Sequence, residues 1–497
     1  MKINITKKIG LVLIVLLSTL SCSKDLLEVK PVSFITNASF WQSEDDVKGA
    51  INGMYFQLRT VASQNMYLLG EGRSEILSRG PIGTSGYDLY YDNSLTANNL
   101  VITWKEFYTT VNTANLILKY VPQISMSSES AKNNYLAQAY TMRAFMYFVM
   151  TKTWGDLVIH TDPIESTNSE VTQIGRSSKE DVFKLIKEDL DKAIQLFADN
   201  TFTTGRCNWT KPAANALKAD VYLWTGKRLD GGAADFTTAL TALNEVKTAD
   251  VSLLPEFGDV FNYANKGNKE IVMSVHFQPL EVGNNYFSFM WLAASLIPTT
   301  VDATTLSVIS PSGSGQGIAP PSALYRNQYS ADDTRKDASY FDVYSNPDGV
   351  KTYFISLAMK GTGLVSSGNR DFVSDVVLYR YADILLMIAE AKNALGQDPS
   401  DEINSVRLRA YKAEYANHLF VNGTKEVNDE AILKERLLEL AFEGKRWWDL
   451  VRFNKAYDLV PSLQSQSAKG QDFLLFPIPN SVLSLEPNVI QNPGWED

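Results

Sequence analysis

Cysteine and histidine are nearly absent from this chain. Its 497 residues hold two cysteines, Cys22 and Cys207, and three histidines, His160, His276 and His418. Two thiols cannot build a disulfide framework, and if Cys22 is chemically modified then Cys207 has no partner, so stability must come from packing. The histidines lie far apart and in no HExxH or related spacing, which leaves no zinc motif and no expected metal or cofactor. The glycine-bearing stretches "SRGPIGTSG" and "SPSGSGQG" lack the GxxxxGK[ST] pattern that cradles phosphates, and no GxSxG elbow occurs. "YSADDTRKDASYF" clusters aspartates without EF-hand spacing and reads as a charged loop. Positive charge is also short. The net charge is −10, and removal of a leader carrying three lysines leaves −13, which argues against nucleic acid or an anionic membrane surface as partner.

Long apolar runs are missing too, with one exception at the start. Lys2, Lys7 and Lys8 precede an apolar stretch from Ile9 to Leu20, and Ser21 precedes Cys22, the layout of a secretory signal. The stretch is too short for the about 20 residues a membrane-crossing helix needs. Residues 1–21 are therefore read as a signal peptide. "STLSCSKD" resembles a lipobox, in which the cysteine thiol receives lipid and cleavage falls before it, although Thr19 stands where leucine is common. The alternative is an ordinary cleavage site beside an unmodified Cys22. Lys24 and Asp25 in "CSKD" resemble a surface-export signal.

What is present is mostly helix. Apolar residues recur at three- and four-residue spacing from Asp45 to Arg59 and in "TWKEFYTTVNTANLILKYV", "KNNYLAQAYTMRAFMYFVMTKTWG", "SKEDVFKLIKEDLDKAIQLF" and "KPAANALKADVYLWTGK". "AYTMRAFMYFVM" is apolar nearly all round, as an inner helix of a multilayer array must be. Alanines 213, 214, 216 and 219, followed by Gly226, permit close helix approach, as in tetratricopeptide-like repeats. The reading is a single domain over 22–497. A helical scaffold occupies about 45–250 and 375–455, a loop-rich insert about 251–374, and an extended tail about 470–497. Within the insert "NKEIVMSVHFQ" reads as a strand, and helical periodicity resumes at "VVLYRYADILLMIAEAKNALG".

"ERLLELAFEGKRWWDLVRFN", residues 435–454, combines carboxylates, arginines and paired tryptophans. Leu433, Leu437, Leu440, Gly444, Trp447 and Val451 form one stripe of a continuous helix, which points Trp447 inward. Gly444 in that stripe costs about 1 kcal/mol relative to Ala, which implies that another backbone crosses there. Glu435, Glu439 and Glu443 stack on one face and repel unless cations intervene, with Arg407 and Arg409 as candidates. A glycosidase pair needs two carboxylates facing each other at about 5 to 9 Å, which one helical face does not supply. The cluster is read as structural.

"AYTMRAFMYFVMTKTWGDLVI", "LYRYADILLMIAEAKNALG", "INSVRLRA", "ERLLELAFEGKRWWDLVRF" and the tail "LLFPIPNSVLSLEPNVIQNPGWED" resemble, in order, the signature blocks of the SusD/RagB family of outer-membrane nutrient-binding lipoproteins. Asp383 replaces a common glutamate and keeps the carboxylate. The resemblance implies a SusD-like helical fold, a lipid anchor on Cys22 at the outer surface of a Gram-negative cell, and partnership with a SusC-type TonB-dependent transporter. It implies capture of oligosaccharides, or peptides in some members, without catalysis; a secreted glycoside hydrolase is the remaining alternative.

A sugar-binding surface needs aromatic faces for C–H groups and planar polar side chains for hydroxyls. The loops "QNMYLLGEGRSEILSRG", "SGYDLYYDNS" and "GNNYFSFMW" supply Tyr67, Arg73, Glu75, Tyr87, Tyr90, Tyr91, Asn93, Tyr286 and Trp291 as candidates, beside Arg79, Asp88 and Asp92. For each tyrosine alone, packing against the scaffold is the plainer reading; as a group they are the best candidates. The 311–330 loop around Tyr325 is the fallback. For the anchor, Cys22→Ser should move the protein from the membrane fraction to the soluble fraction in cells lacking the transporter. Continued membrane association would count against lipidation.

Overall fold

The computed structural model describes residues 40–100 and 102–495. The signal peptide and Cys22 lie outside them. Helix α1 (Glu44–Ser63) starts where the Ser43 hydroxyl accepts from the Asp46 amide and the Asp46 carboxylate accepts from the Ser43 amide, a reciprocal cap. Its Val47, Ile51, Met54, Leu58 and Val61 are buried along one face. There follow α2 (Asn65–Glu71), α3 (Lys105–Tyr120), α4 (Glu129–Trp154), α5 (Lys179–Leu196), α6 (Lys211–Arg228) and α7 (Gly232–Lys247). From α3 onward each packs on the next, and α1 packs on α3. In α4 every residue from Ala137 to Trp154 except Tyr140 is buried, so the all-round apolar segment is an inner helix. The α6 alanines are buried, and a Cβ on Gly226 would collide with the Phe236 ring of α7.

Beyond α7 the chain forms three two-stranded antiparallel ladders. β1 (Ile271–Val275) pairs with β6 (Val376–Arg380), β2 (Tyr340–Ser345) with β3 (Thr352–Ala358), and β4 (Leu364–Ser366) with β5 (Asn369–Asp371). The expected strand in "NKEIVMSVHFQ" is β1. The expected helix starting at "VVLYR" is corrected: those five residues are β6, with Ser274 opposite Val377, and helix α8 (Tyr381–Ala394) begins only afterwards. All five are buried, and the short apolar run from Val376 to Tyr379 has no periodicity to separate strand from helix. Then come α9 (Ser400–Tyr411), α10 (Lys425–Leu440) and α11 (Arg446–Arg452). This is a mostly α architecture.

The continuous helix expected across residues 433–451 is broken. The chain leaves α10 at Ala441 and turns through left-handed backbone at Phe442 (φ +67°) and Gly444 (φ +73°) before α11. Leu433, Leu437, Leu440, Trp447 and Val451 are buried all the same. The crossing backbone implied by Gly444 is α2: a Cβ on Gly70 would sit inside the Gly444 carbonyl oxygen. Glycine serves conformation at one position and space at the other.

The three stacked glutamates meet cations, all of them buried except the half-buried Arg407. Arg407 pairs with Glu435 at 2.8 Å and Arg409 with Glu439, as expected. Three more come from the insert and from β6. Arg335 reaches Glu435 (2.7 Å), Glu439 (3.1 Å) and Asp333 (2.7 Å). Arg380 reaches Glu270 (2.8 Å), Glu439 (2.6 Å) and Glu443 (2.8 Å), and Lys360 reaches Glu443 (2.7 Å). Asp383 binds Arg436 and Lys445, each at 2.8 Å, so its carboxylate has a structural role. Burial alone would raise the Glu439 carboxyl, but Arg409, Arg380 and Arg335 outweigh it and hold it well below the usual range.

Glu439→Gln leaves those arginines undercompensated in a dry site and should cost about 3 to 5 kcal/mol in urea unfolding. Because the folded carboxyl is depressed, its contribution is complete above the unfolded value of about 4.3 and fades as pH falls below it. The gap between wild type and variant should therefore narrow between about pH 5 and pH 2. A gap that does not change with pH would contradict the assignment.

Candidate ligand-binding surface

Most aromatic candidates form the floor beneath the loops, and the expectation that they offer exposed faces is corrected. Tyr67 and Tyr286 are buried and stack with ring centres 4.0 Å apart and 6° between planes. The Tyr286 hydroxyl donates to the Phe442 carbonyl (2.9 Å), and the Tyr67 hydroxyl points to the Met290 sulfur (3.2 Å). Trp291 has no exposed surface; its indole N–H donates to the Ala358 carbonyl (2.7 Å), and the Arg370 guanidinium lies 4.3 Å from its ring. Tyr90 packs near Phe476, and the buried Tyr91 points its hydroxyl at the Ile318 carbonyl. Tyr325 is fully buried against Phe442, which removes the fallback platform. In each case the ring gains contact area inside, and the polar tips of Tyr67, Tyr91, Tyr286, Trp291 and Tyr325 find partners there.

Arg73 and Asn93 are buried ties. The Arg73 guanidinium donates to Asn93 Oδ1 (2.7 Å) and to the carbonyls of Phe473 (3.1 Å), Leu474 (2.9 Å) and Leu475 (3.0 Å), and it lies 4.6 Å from the Trp447 ring. Asn93 takes left-handed backbone (φ +51°) and donates its amide to the Arg73 carbonyl and the Ser462 hydroxyl. The half-buried Glu75 accepts from Arg446 Nε at 2.9 Å. These bonds fix both ends of the 73–93 loop to the scaffold and to the tail.

What remains outside is a smaller set. Arg79, 60% exposed, pairs with Asp88 (3.2 Å) and Asp92. Tyr87 is half-buried, its ring 4.9 Å from Phe289 and its hydroxyl accepting from the Gln64 amide (2.7 Å); burial pushes the phenol up. Ile82 is exposed beside them in sequence. A Cβ on Gly80 would collide with the Gly317 carbonyl, the Ser78 amide donates to the Pro320 carbonyl (3.0 Å), and Leu77 bridges to Pro321. The loop is thereby joined to the 311–321 loop, where Ser314 and Gln316 are exposed and Asn284 donates its side-chain amide to Ser314. Sequence reasoning missed Gly80, Ile82, Asn284 and Gln316. The glycines of "SRGPIGTSG" were the available signal for the close approach. Among the described residues, no group of three or more histidine, cysteine, aspartate or glutamate side chains is placed to hold a metal ion.

A helical scaffold carrying a pinned, partly aromatic loop cluster is the class of protein so defined. The comparisons agree. The SusD family model matches residues 325–495, and a model described as "Starch-binding associating with outer membrane" matches 25–223. Among solved structures, NanU of B. fragilis is 35% identical, with a TM-score of 0.84 over 94% of this chain and 100% of its own. A SusD superfamily protein from Bacteroides vulgatus is 31% identical, with a TM-score of 0.80 over 92% of this chain and 100% of its own. SusD-like protein P38 of Formosa agariphila is 27% identical over 98% of this chain and 99% of its own. The chain belongs to the SusD/RagB family.

The two groups of residues should separate in stability. Trp291→Ala should destabilise by about 3 to 5 kcal/mol, the cost of truncating a buried aromatic. Arg79→Ala should leave the melting temperature unchanged within error. Equal losses would put Arg79 in the core or Trp291 at the surface.

Proposed function

We propose that the protein is a non-enzymatic, lipid-anchored binding protein of the outer-membrane surface, which captures oligosaccharides and delivers them to a SusC-type TonB-dependent transporter. The observation that carries the reading is the match of residues 25–223 to the starch-binding, outer-membrane-associating model, because this span contains the exposed 78–92 loop. The chemistry of that loop supports it. Tyr87 and Ile82 offer apolar surface for sugar C–H faces, and Arg79, Asp88 and Asp92 offer planar donors and acceptors for hydroxyl pairs. No helix among the described residues is long and apolar enough to cross a membrane, and attachment is assigned to lipid on Cys22. The contact set is thus Arg79, Ile82, Tyr87, Asp88 and Asp92, with Trp291 and Tyr286 as its support.

Affinity electrophoresis through gels containing soluble starch, laminarin, xylan or pectin tests the reading. At least one polysaccharide should retard the protein. Tyr87→Ala should then weaken retention by about tenfold, on the order of 1.4 kcal/mol, without changing the melting temperature. Retention by none of them, with a peptide library bound instead, would move the ligand to peptides. Release of reducing sugar from a retained polysaccharide would overturn the non-enzymatic assignment.

A further inference from the structure

A second concavity, of about 610 Å³, shares no residue with the loop cluster. It runs between the first half of α3, the segment from Val158 to Ile164, and the stretch from Ser481 to Glu486. Its size falls within the roughly 300–1,000 Å³ typical of small-ligand sites.

Its walls combine the half-buried ring of Tyr108, braced from behind by the buried Trp104, with unpaired planar polar groups. Trp104 and Tyr108 meet edge to face at 5.6 Å, and the Tyr108 hydroxyl donates to the Val158 carbonyl (2.7 Å), which fixes the ring. His160 stands edge-on to Tyr108 at 6.0 Å, and burial lowers its imidazole pKa, which favours the neutral ring with one nitrogen a donor and the other an acceptor. Asn112 Oδ1 accepts from the Ile164 amide (2.6 Å), so the orientation of its NH2 is set. Glu486 is half-buried without a cationic partner, and burial pushes its carboxyl up. Among the described residues, the His160 ring nitrogens, the Asn112 NH2 and the Glu486 carboxylate have no protein hydrogen-bond partner.

Half-buried polar groups left unpaired beside apolar walls are costly unless a ligand or water completes them. An acyl chain would leave all three unsatisfied. A phosphate would meet Glu486 with only the exposed Lys105 in support. A ring with apolar C–H faces and several hydroxyls satisfies both kinds of surface. We propose that this groove is a second carbohydrate site, taking one or two sugar rings against Tyr108, which the buried Trp104 braces, with their hydroxyls bonded to His160, Asn112 and Glu486. It would hold a separate stretch of a long glycan whose first stretch lies on the 78–92 loop, and it rests on the glycan reading above.

The test counts sites. A hexasaccharide prepared from whichever of the four polysaccharides retards the protein is titrated calorimetrically into wild type, Thr109→Phe and His160→Ala/Glu486→Gln. Thr109 is exposed at the groove and its hydroxyl donates to the Lys105 carbonyl of its own helix, so the phenyl ring should plug the groove without disturbing the core. Wild type should bind more than one equivalent, and both groove variants should lose one, whereas Tyr87→Ala keeps the groove equivalent. If Thr109→Phe does not fold, the double variant alone decides. A single equivalent in wild type, or groove variants with unchanged stoichiometry, overturns the second site while leaving the glycan reading intact. Retention by none of the four gels overturns both.

Discussion

The buried ion cluster centred on Glu439 is the constraint on which the rest of the architecture depends. Five carboxylates, from Glu270, Asp333, Glu435, Glu439 and Glu443, face five cations, from Arg335, Lys360, Arg380, Arg407 and Arg409. Charges removed from water are tolerated only when geometry and hydrogen bonding are nearly complete. The balance matters more than any one pair. Arg335 and Lys360 belong to the insert, Arg380 ends β6, Arg407 and Arg409 lie on α9, and the central glutamates lie on and just beyond α10. This placement of the segments brings each charge to an opposite one, so the cluster ties an otherwise loop-rich insert to the helices. Replacement by apolar side chains of equal volume could conserve stability and lose that register.

The exposed loops inherit their position from this clamp through a short mechanical chain. The Gly70–Gly444 crossing sets α2 against the turn between α10 and α11, and Arg73, two residues beyond α2, binds the tail carbonyls. From there the 73–93 loop is tied to the 311–321 loop by close backbone contact at Gly80 and Gly317. The stacked Tyr67 and Tyr286 rings and Trp291 fill the space below. The ligand surface proposed for these loops would therefore carry little ordering cost, since the floor is packed and the loop ends are bonded.

Much of this was legible in the sequence, and the exceptions have physical causes. The amphipathic stripes located the scaffold helices, the all-round apolar run marked α4 as interior, and three glutamates at four-residue spacing demanded cations. Arg407 and Arg409 were found because they lie in a recognisable helix. Arg335, Arg380 and Lys360 were not, because contacts across 59 to 104 residues leave no local pattern. β6 read as helix because its run of four buried apolar residues ahead of Arg380 has no polar phase to reveal its period. The break at 441–445 was hidden since the second helix restarts with its apolar residues again inward, so the stripe continues across the turn. The site was the least legible part: tyrosine beside polar residues in a loop has the same composition whether its ring faces water or the core. Only Tyr87 and Glu75 of the nine ligand candidates are not buried.

Hydrogen–deuterium exchange of the full chain, with and without a saturating fragment of the retained polysaccharide, tests the central claim most directly. The account predicts added protection in the 78–92 and 311–321 loops and in the groove beside α3, with no change in α10 and α11. Protection confined to residues 435–454 would contradict it, for it would make a ligand site of the cluster assigned here to structure.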